Sequence, residues 1–395
     1  MSDKNRKALL AARTFFIRLS DSCQPDPFTW VFSSTDNRSF NYNSRYLFEY
    51  VLEHCPQVTA LYVMNDPELR GRLAVKYGEN HFIHTDTAEG IRRALGAGVW
   101  FTSAGLPVYG TGLAKNRMII NLWHGIPLKK IALADPHLGA LSRLYFKKVF
   151  SENYTFITTP SSRLIPVMAK SFAVPEEKVK VWGQPRTDCL LPHSPFPGGR
   201  EEEIGFLSDH PGYRYLIVYA PTFREEEPTR WFPFEDFDRE RLEAFLKMSD
   251  SILVLRPHLR EEAAIREYCS QRVCLAGSRE LEDITQLLRY TDLLITDYSS
   301  VYLDYLMLDR PMVFLPYDRK RYRALRGMNF DYDEVTPGPK PGSFEAFLAA
   351  IEAGLDGKDD YGDARRHVRE LFYDDISQGS CERICNEILG IFEGT

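Results

Sequence analysis

Thr296-Asp297-Tyr298-Ser299-Ser300 lies between an apolar run, Leu293-Leu294-Ile295, and a stretch from Val301 to Leu308 with Tyr302, Leu303, Leu306 and Met307 at helical spacing. The passage reads as strand, turn and helix start, with Ser299 and Ser300 in the first helical turn. Backbone N–H groups there lack intrahelical partners and the helix dipole favours negative charge, so the turn suits a phosphate. It suits an ordinary helix cap as well, with Asp297 or Ser299 as the capping side chain. Two further apolar runs end on anion-friendly residues: Tyr215–Tyr219 leads to Thr222 and Arg224, and Ser251–Leu255 leads to Arg256-Pro257-His258. A diphosphate needs several donors converging from different strands, and charge-assisted hydrogen bonds are the stronger kind. His258 alone is equally a structural histidine; three concordant strand ends favour an anion site.

A second histidine, His124, follows the strand-like Met118–Trp123 and opens His124-Gly125-Ile126-Pro127-Leu128-Lys129-Lys130. Imidazole titrates near neutrality, which suits taking a proton from an attacking hydroxyl. Gly125 and Pro127 predict a tight loop that exposes the ring. Gly183-Gln184-Pro185-Arg186-Thr187-Asp188 closes another run and reads as a turn in which Arg186 and Asp188 suit a structural ion pair. Metal signals are weak. Asp236-Phe237-Asp238 and Asp331-Tyr332-Asp333 match the Asp-x-Asp string of metal-dependent nucleotide-sugar enzymes but close no convincing strand, and His81 and His84 lack an evident third ligand. There is no Walker loop, Gly-x-Gly-x-x-Gly or Gly-x-Ser-x-Gly.

The elements that must position these residues alternate. Trp30-Val31-Phe32, Ala60–Val63, His81-Phe82-Ile83 and Val99-Trp100-Phe101 are strand-like, with helical stretches at Tyr46–Leu52, Pro67–Tyr77 and Ala88–Leu95 between them. Strand and helix taking turns predict a parallel, doubly wound α/β sheet, in which ligands collect at the carboxyl ends of strands. The Pro- and Gly-rich, then acidic, stretch Pro192–Glu203 reads as a linker, after which the pattern restarts. This predicts a first domain over 1–194 and a second over 195–395, the latter ending in closing helices from Ala364 to Phe392.

A chain of 395 residues accommodates two such domains. A net charge of -6 argues against a nucleic-acid partner. Seven scattered cysteines without a Cys-x-x-Cys pair suggest neither a disulfide framework nor a zinc ribbon and fit a reducing cytoplasm. Residues 1–20 are basic around short apolar runs, too interrupted to span a bilayer; they suit either an amphipathic helix docked on the protein or one lying on an anionic surface. The same two readings apply to Leu138–Phe150, with Leu141, Leu144, Tyr145 and Val149 on one face and Arg143, Lys147 and Lys148 nearby.

Taken in order, Trp123–Lys129, Gly183–Asp188, Tyr219–Arg224, Arg256–His258 and Thr296–Ser300 closely resemble the motifs of the CDP-glycerol glycerophosphotransferase family, the primases and polymerases of wall teichoic acid and related capsule enzymes. Val31–Ser34 with Asn43–Tyr46, Arg310-Pro311, and Arg326-Gly327 with Asn329–Tyr332 extend the match over residues 28 to 390. The resemblance implies a GT-B architecture, two Rossmann-like domains facing each other across a cleft, with acceptor on the first and CDP-glycerol mainly on the second. It implies transfer of glycerol phosphate to a polyprenyl-diphosphate-linked saccharide or a growing poly(glycerol phosphate) chain, with release of CMP and without metal or cofactor. His124 matches the family's general base, while Arg256, His258, Ser299 and Ser300 match positions that hold the diphosphate and steady charge on the departing CMP. Gly125, Lys129, Arg186, Asp188, Thr222, Arg224, Thr296, Asp297, Arg326 and Asp331 are further substrate-binding candidates, Asp297 orienting its loop. Gln184, Phe223 and Ile126 depart from the commoner family residues. The size is that of the compact primases, and the expected setting is peripheral, on the cytoplasmic face of the membrane, with a homo-oligomer allowed. CDP-ribitol or a nucleotide sugar as donor, and a non-catalytic polymer-binding scaffold, are the alternatives.

Overall fold

The computed structural model describes residues 3–20, 24–196, 204–224, 227–258, 261–277 and 281–393; residues 197–203 of the expected linker lie outside that range. The chain forms two compact units. The first comprises Met1–Gly125, Lys130–Asp188 and Tyr373–Thr395, and the second Ile126–Lys129 and Cys189–Phe372.

In the first unit, β1 (Asp26–Ser33), β2 (Thr59–Val63), β3 (Phe82–Ile83), β4 (Ala97–Thr102), β5 (Met118–Asn121), β6 (Phe156–Thr158) and β7 (Val179–Lys180) build one sheet in the order β3-β2-β1-β4-β5-β6-β7, every pairing parallel. The sequence is apolar where both faces are covered: β4 is buried along its whole length, and the Phe32 and Phe101 rings stack across the β1–β4 pair at 5.2 Å. Around the sheet lie α1 (Asp3–Ser20), α2 (Tyr42–His54), α3 (Pro67–Tyr77), α4 (Ala88–Leu95), α5 (Ala140–Val149) and α6 (Ile165–Phe172).

The second unit repeats the plan. Its strands β8 (Tyr215–Tyr219), β9 (Ser251–Leu255), β10 (Val273–Leu275), β11 (Leu293–Thr296) and β12 (Met312–Phe314) run in the order β10-β9-β8-β11-β12, again all parallel. Helices α7 (Arg239–Met248), α8 (Val301–Tyr305), α9 (Arg319–Arg326), α10 (Phe344–Leu355) and α11 (Gly362–Phe372) belong to it. Phe344, Phe347 and Ile351 of α10 pack on Leu293, Ile295 and Val313 of the sheet. Both strand orders reverse direction at one point, between β1 and β4 and between β8 and β11. Such switch points open a crevice at the carboxyl ends, where ligands bind in this fold class.

The division differs from a single cut at 194/195. The last helix, α12 (Ser380–Glu393), returns to the first unit, where Asp188 Oδ1 and Oδ2 accept from the N–H groups of Ser380 and Cys381 at 2.9 and 2.8 Å. Gly183, at φ +88, passes so close to this helix start that a Cβ would lie 2.2 Å from Ser380 Oγ. A carboxylate 192 residues upstream thus caps the helix, a pairing that proximity in the chain does not reveal.

Candidate active site

His124 stands just past β5, which ends two residues earlier than the apolar run suggests. Asn121 Oδ1 accepts from Trp123 N–H at 2.9 Å, and Trp123 turns into the left-handed region at φ +54. The loop is then gripped from two sides. Asn43, fully buried at the start of α2, donates from Nδ2 to the carbonyls of Leu122 (2.9 Å) and Trp123 (3.0 Å), while its Oδ1 accepts from Arg186 N–H at 3.1 Å. The Arg186 guanidinium, itself buried, donates to the carbonyl of His124. The ring lies against Trp123 and Tyr42, at centroid distances of 4.0 and 5.2 Å.

His124 Nδ1 lies 2.9 Å from the carbonyl oxygen of Ser103, at the end of β4. A carbonyl only accepts, so Nδ1 carries the proton and Nε2 is the basic nitrogen. Ser103 is fixed in turn: its Oγ accepts from Ser44 N–H at 2.8 Å, and Ser44 Oγ donates to Ser33 O at 2.7 Å across the switch point. A base needs this combination of a set tautomer and a fixed ring. Arg186 therefore serves the loop that carries His124 and Asp188 serves α12; neither is spent on the other. Burial pushes the Asp188 carboxyl above its usual range, against the lowering effect of the N–H groups it binds. Gly125 is the last residue of its segment in the first unit, and Lys129 belongs to the second, where Asn329 Nδ2 donates to Pro127 O and Lys129 O at 2.8 and 3.0 Å.

The second unit gathers Thr222, Arg224, Thr296 and Asp297 at its own switch point. Thr296 Oγ1 donates to Ala220 O at 2.7 Å, and Asp297 Oδ1 accepts from Thr222 N–H at 2.8 Å, tying the β8 and β11 ends together. Asp297 Oδ2 pairs with Arg224 Nη1 at 2.7 Å, and Arg224 Nε and Nη2 form a two-pronged pair with Asp318 at 2.9 and 3.0 Å. The same guanidinium lies over the rings of Tyr298, Tyr317 and Tyr322 at 5.1 to 5.2 Å. Its side chain is only 8% exposed, and its carboxylate partners hold it charged against the cost of burial. Arg224, expected to bind substrate, is thus engaged in holding the loops.

Beside that network stand groups of another kind. Arg256 Nη1 donates to Ala276 O and Gly277 O at 2.9 and 2.8 Å, which aims the guanidinium past the end of β10. His258 is exposed and stacks on Phe223 at 4.3 Å, so the family-atypical phenylalanine is its shelf. Ser300 occupies the cap position of α8 without a side-chain capping bond, and Ser299 Oγ accepts only a long 3.5 Å contact from Val301 N–H. Arg326 ends α9. The Asp-x-Asp strings are structural: Asp236 accepts from Phe344 N–H at the start of α10, Asp238 caps α7, Asp331 caps a short helix, and Asp333 pairs with Arg319. Among the described residues there is no group of three or more His, Cys, Asp or Glu placed to hold a metal ion. Asn43, Ser44, Ser103 and Asp318 had no assigned role in the sequence reading. For Asn43 and Ser44 the signals were the polar run Asn41-Tyr42-Asn43-Ser44 opening a helix and the resemblance over Asn43–Tyr46.

The family model for CDP-glycerol:poly(glycerophosphate) glycerophosphotransferase matches residues 15–390. A teichoic acid poly(glycerol phosphate) polymerase of Staphylococcus epidermidis is 27% identical over 325 residues, covering 79% of this chain and 44% of that protein. A teichoic acid glycerol-phosphate transferase of Staphylococcus aureus is 30% identical over 282 residues, covering 68% and 70%. The chain thus spans less than half of the first relative and about two thirds of the second. The solved wall teichoic acid polymerase TagF superposes with a TM-score of 0.75 at 21% identity, over 99% of this chain and 97% of that one, which shows a shared GT-B fold. With the ordered strand-end motifs in place on that fold, the chain belongs to the CDP-glycerol:poly(glycerophosphate) glycerophosphotransferase family.

Proposed function

We propose that this protein transfers glycerol phosphate from CDP-glycerol to a hydroxyl of a polyprenyl-diphosphate-linked saccharide or a growing poly(glycerol phosphate) chain. The observation that carries the reading is the tautomer of His124, fixed by Ser103 O so that Nε2 is the proton acceptor. On this reading Nε2 takes the acceptor's hydroxyl proton while the oxygen attacks the phosphorus bearing glycerol. The bond from that phosphorus to the bridging oxygen breaks, and CMP departs with its electron pair. Arg256, His258, Ser299 and Ser300 meet the diphosphate and steady the charge that gathers on CMP. The engagement of the Asp-x-Asp strings at helix ends supports a transfer that needs no divalent ion.

The decisive assay combines the protein, CDP-glycerol and a lipid-linked disaccharide analogue in EDTA. CMP and a phosphoglycerol-extended product are expected, and neither appearing would sink the proposal. CDP-ribitol and nucleotide sugars run in parallel assign the donor, since glycosyl transfer liberates a nucleoside diphosphate instead. CDP-glycerol binding without turnover on any acceptor would mark a polymer-binding scaffold.

We further place the protein peripherally, on the inner face of the cell membrane. Among the described residues no helix is long and apolar enough to cross a bilayer. Helix α1 buries Leu10, Thr14 and Ile17 yet turns Leu9, Phe15, Phe16 and Leu19 outward, with Phe16 68% exposed; α5 does likewise with Leu141, 85% exposed, and Leu144. Apolar rings beside basic side chains suit an anionic lipid surface. Sedimentation with anionic vesicles is expected, and Phe15→Ser with Phe16→Ser should lower the bound fraction severalfold.

A further inference from the structure

His124 lies between two amide clamps along the chain. Before it, Asn43 holds the carbonyls of Leu122 and Trp123. After it, Asn329 holds three carbonyls in a row: its Nδ2 donates to Pro127 O and Lys129 O at 2.8 and 3.0 Å, and its backbone N–H donates to Leu128 O at 2.8 Å. Carbonyls only accept, so the amide orientation is settled and both Nδ2 protons are in use. A carboxylate has the same shape and donates neither. Lys129 and Met328 add an antiparallel bridge, and the side chains of Ile126 and Leu128 are buried. The loop that begins with the base thus ends on a fixed anchor.

The anchor belongs to a short strap in the second unit. Helix α9 stops at Arg326, and Gly327, at φ +65, turns the chain out of it. Met328 then packs against the buried rings of Tyr298, Tyr322 and Tyr332. Tyr298 is the central residue of the turn Thr296–Ser300, stacked on Tyr322 at 4.0 Å and 5.3 Å from Tyr332. The Tyr332 hydroxyl donates to Asp297 O in the same turn at 2.8 Å. Burial pushes the pKa of that hydroxyl up, so it stays a donor. Asn329 and Tyr332, on one strap, therefore grip the base's loop and the turn assigned above to the donor's diphosphate. A load on that turn reaches the loop through one contiguous run of hydrogen bonds and packed rings.

We infer that Asn329 is a positioning residue of the transfer reaction, and that the strap from Gly327 to Tyr332 couples the donor's turn to the loop that carries the base. The inference rests on the transferase reading above and adds how donor and base are kept in step.

Hydrogen-exchange mass spectrometry on the full chain tests it without turnover, with CDP-glycerol as the probe and no acceptor present. CDP-glycerol should slow exchange over residues 126–129 severalfold. Asn329→Ala should still bind it and lose that protection. In the transfer assay, Asn329→Ala and Asn329→Asp should each lower kcat about tenfold, the scale of one or two lost hydrogen bonds, while the donor KM moves by about threefold at most. Tyr332→Phe deletes only the hydroxyl at the other grip and serves where the Asn329 variants melt early; it should lose the same protection. Combined with Asn329→Ala, it should lower kcat little beyond the worse single variant, as members of one unit do. CDP-glycerol binding that leaves residues 126–129 unprotected, protection that survives Asn329→Ala, full turnover by Asn329→Asp, or kcat losses that multiply would each overturn the coupling. An unmodified protein that neither binds CDP-glycerol nor releases CMP would instead overturn the transferase reading beneath it.

Discussion

At the end of β5 a loop is held mainly by uncharged groups, while at the ends of β8 and β11 the loops are held by a buried ion network. Asn43 and backbone carbonyls fix His124, with the Arg186 guanidinium as the single charge. Arg224, Asp297 and Asp318 form the second cluster, whose formal charges, one cation against two carboxylates, sum to -1. In the first cluster the hydrogen bonds set the ring's tautomer and hold its loop. A scaffold with net negative charge adds no attraction for an anion, so in the proposed reaction Arg256 and its neighbours are the groups that would meet the diphosphate. The lesson is that ionisable side chains at strand ends are as useful for fixing loops as for meeting substrate, and only their partners tell which.

That contrast can be broken at four points. His124→Ala should lower kcat about 1000-fold, the scale of a lost general base, while CDP-glycerol binding stays within twofold by calorimetry. Unchanged turnover would leave the neutral cluster without a purpose. Arg224→Met should cost about 3 kcal/mol of unfolding free energy in denaturant titration, because two buried carboxylates lose their cation. If it instead raised the CDP-glycerol KM with stability intact, Arg224 would be a ligand after all. Asn43→Ala strands two carbonyls and an N–H and should destabilise by about 2 kcal/mol, together with a fall in kcat at unchanged donor KM. The smallest effect sharpens the picture near the chain's return. Partial burial raises the Asp374 carboxyl, but the Ser162 N–H at 2.8 Å and nearby hydroxyls outweigh it and hold the group below its usual range. A depressed folded value contributes stability above the unfolded carboxylate range that is lost as pH falls through it. Asp374→Asn should therefore flatten the acid limb of a melting-temperature profile slightly, the effect being small because the group is largely exposed.

Much of the fold was legible. Period and apolar runs located β1, β2, β4, β8, β9 and β11 because strands buried on both faces carry continuous apolar sequence. The end of β5 was misjudged, since Leu122 and Trp123 are apolar yet turn with Asn121 out of the sheet. The site was legible as a set of strand ends but not as a division of labour. Arg224 and Asp318 lie 94 residues apart, and Asp188 and Ser380 lie 192 apart; spacing along the chain carries no trace of such pairs. Asn43 falls within a matched motif, but its role as the loop's clamp was not legible because an uncharged amide at a helix start looks like any cap.

The return of α12 to the first unit has a consequence for dissecting the molecule. Severing the polypeptide once, after Asp188, yields a fragment whose capping carboxylate has lost the helix it serves. Fragment complementation, with a synthetic 373–395 peptide added in trans, or circular permutation that splices this segment ahead of residue 3, would restore the severed half where simple truncation cannot.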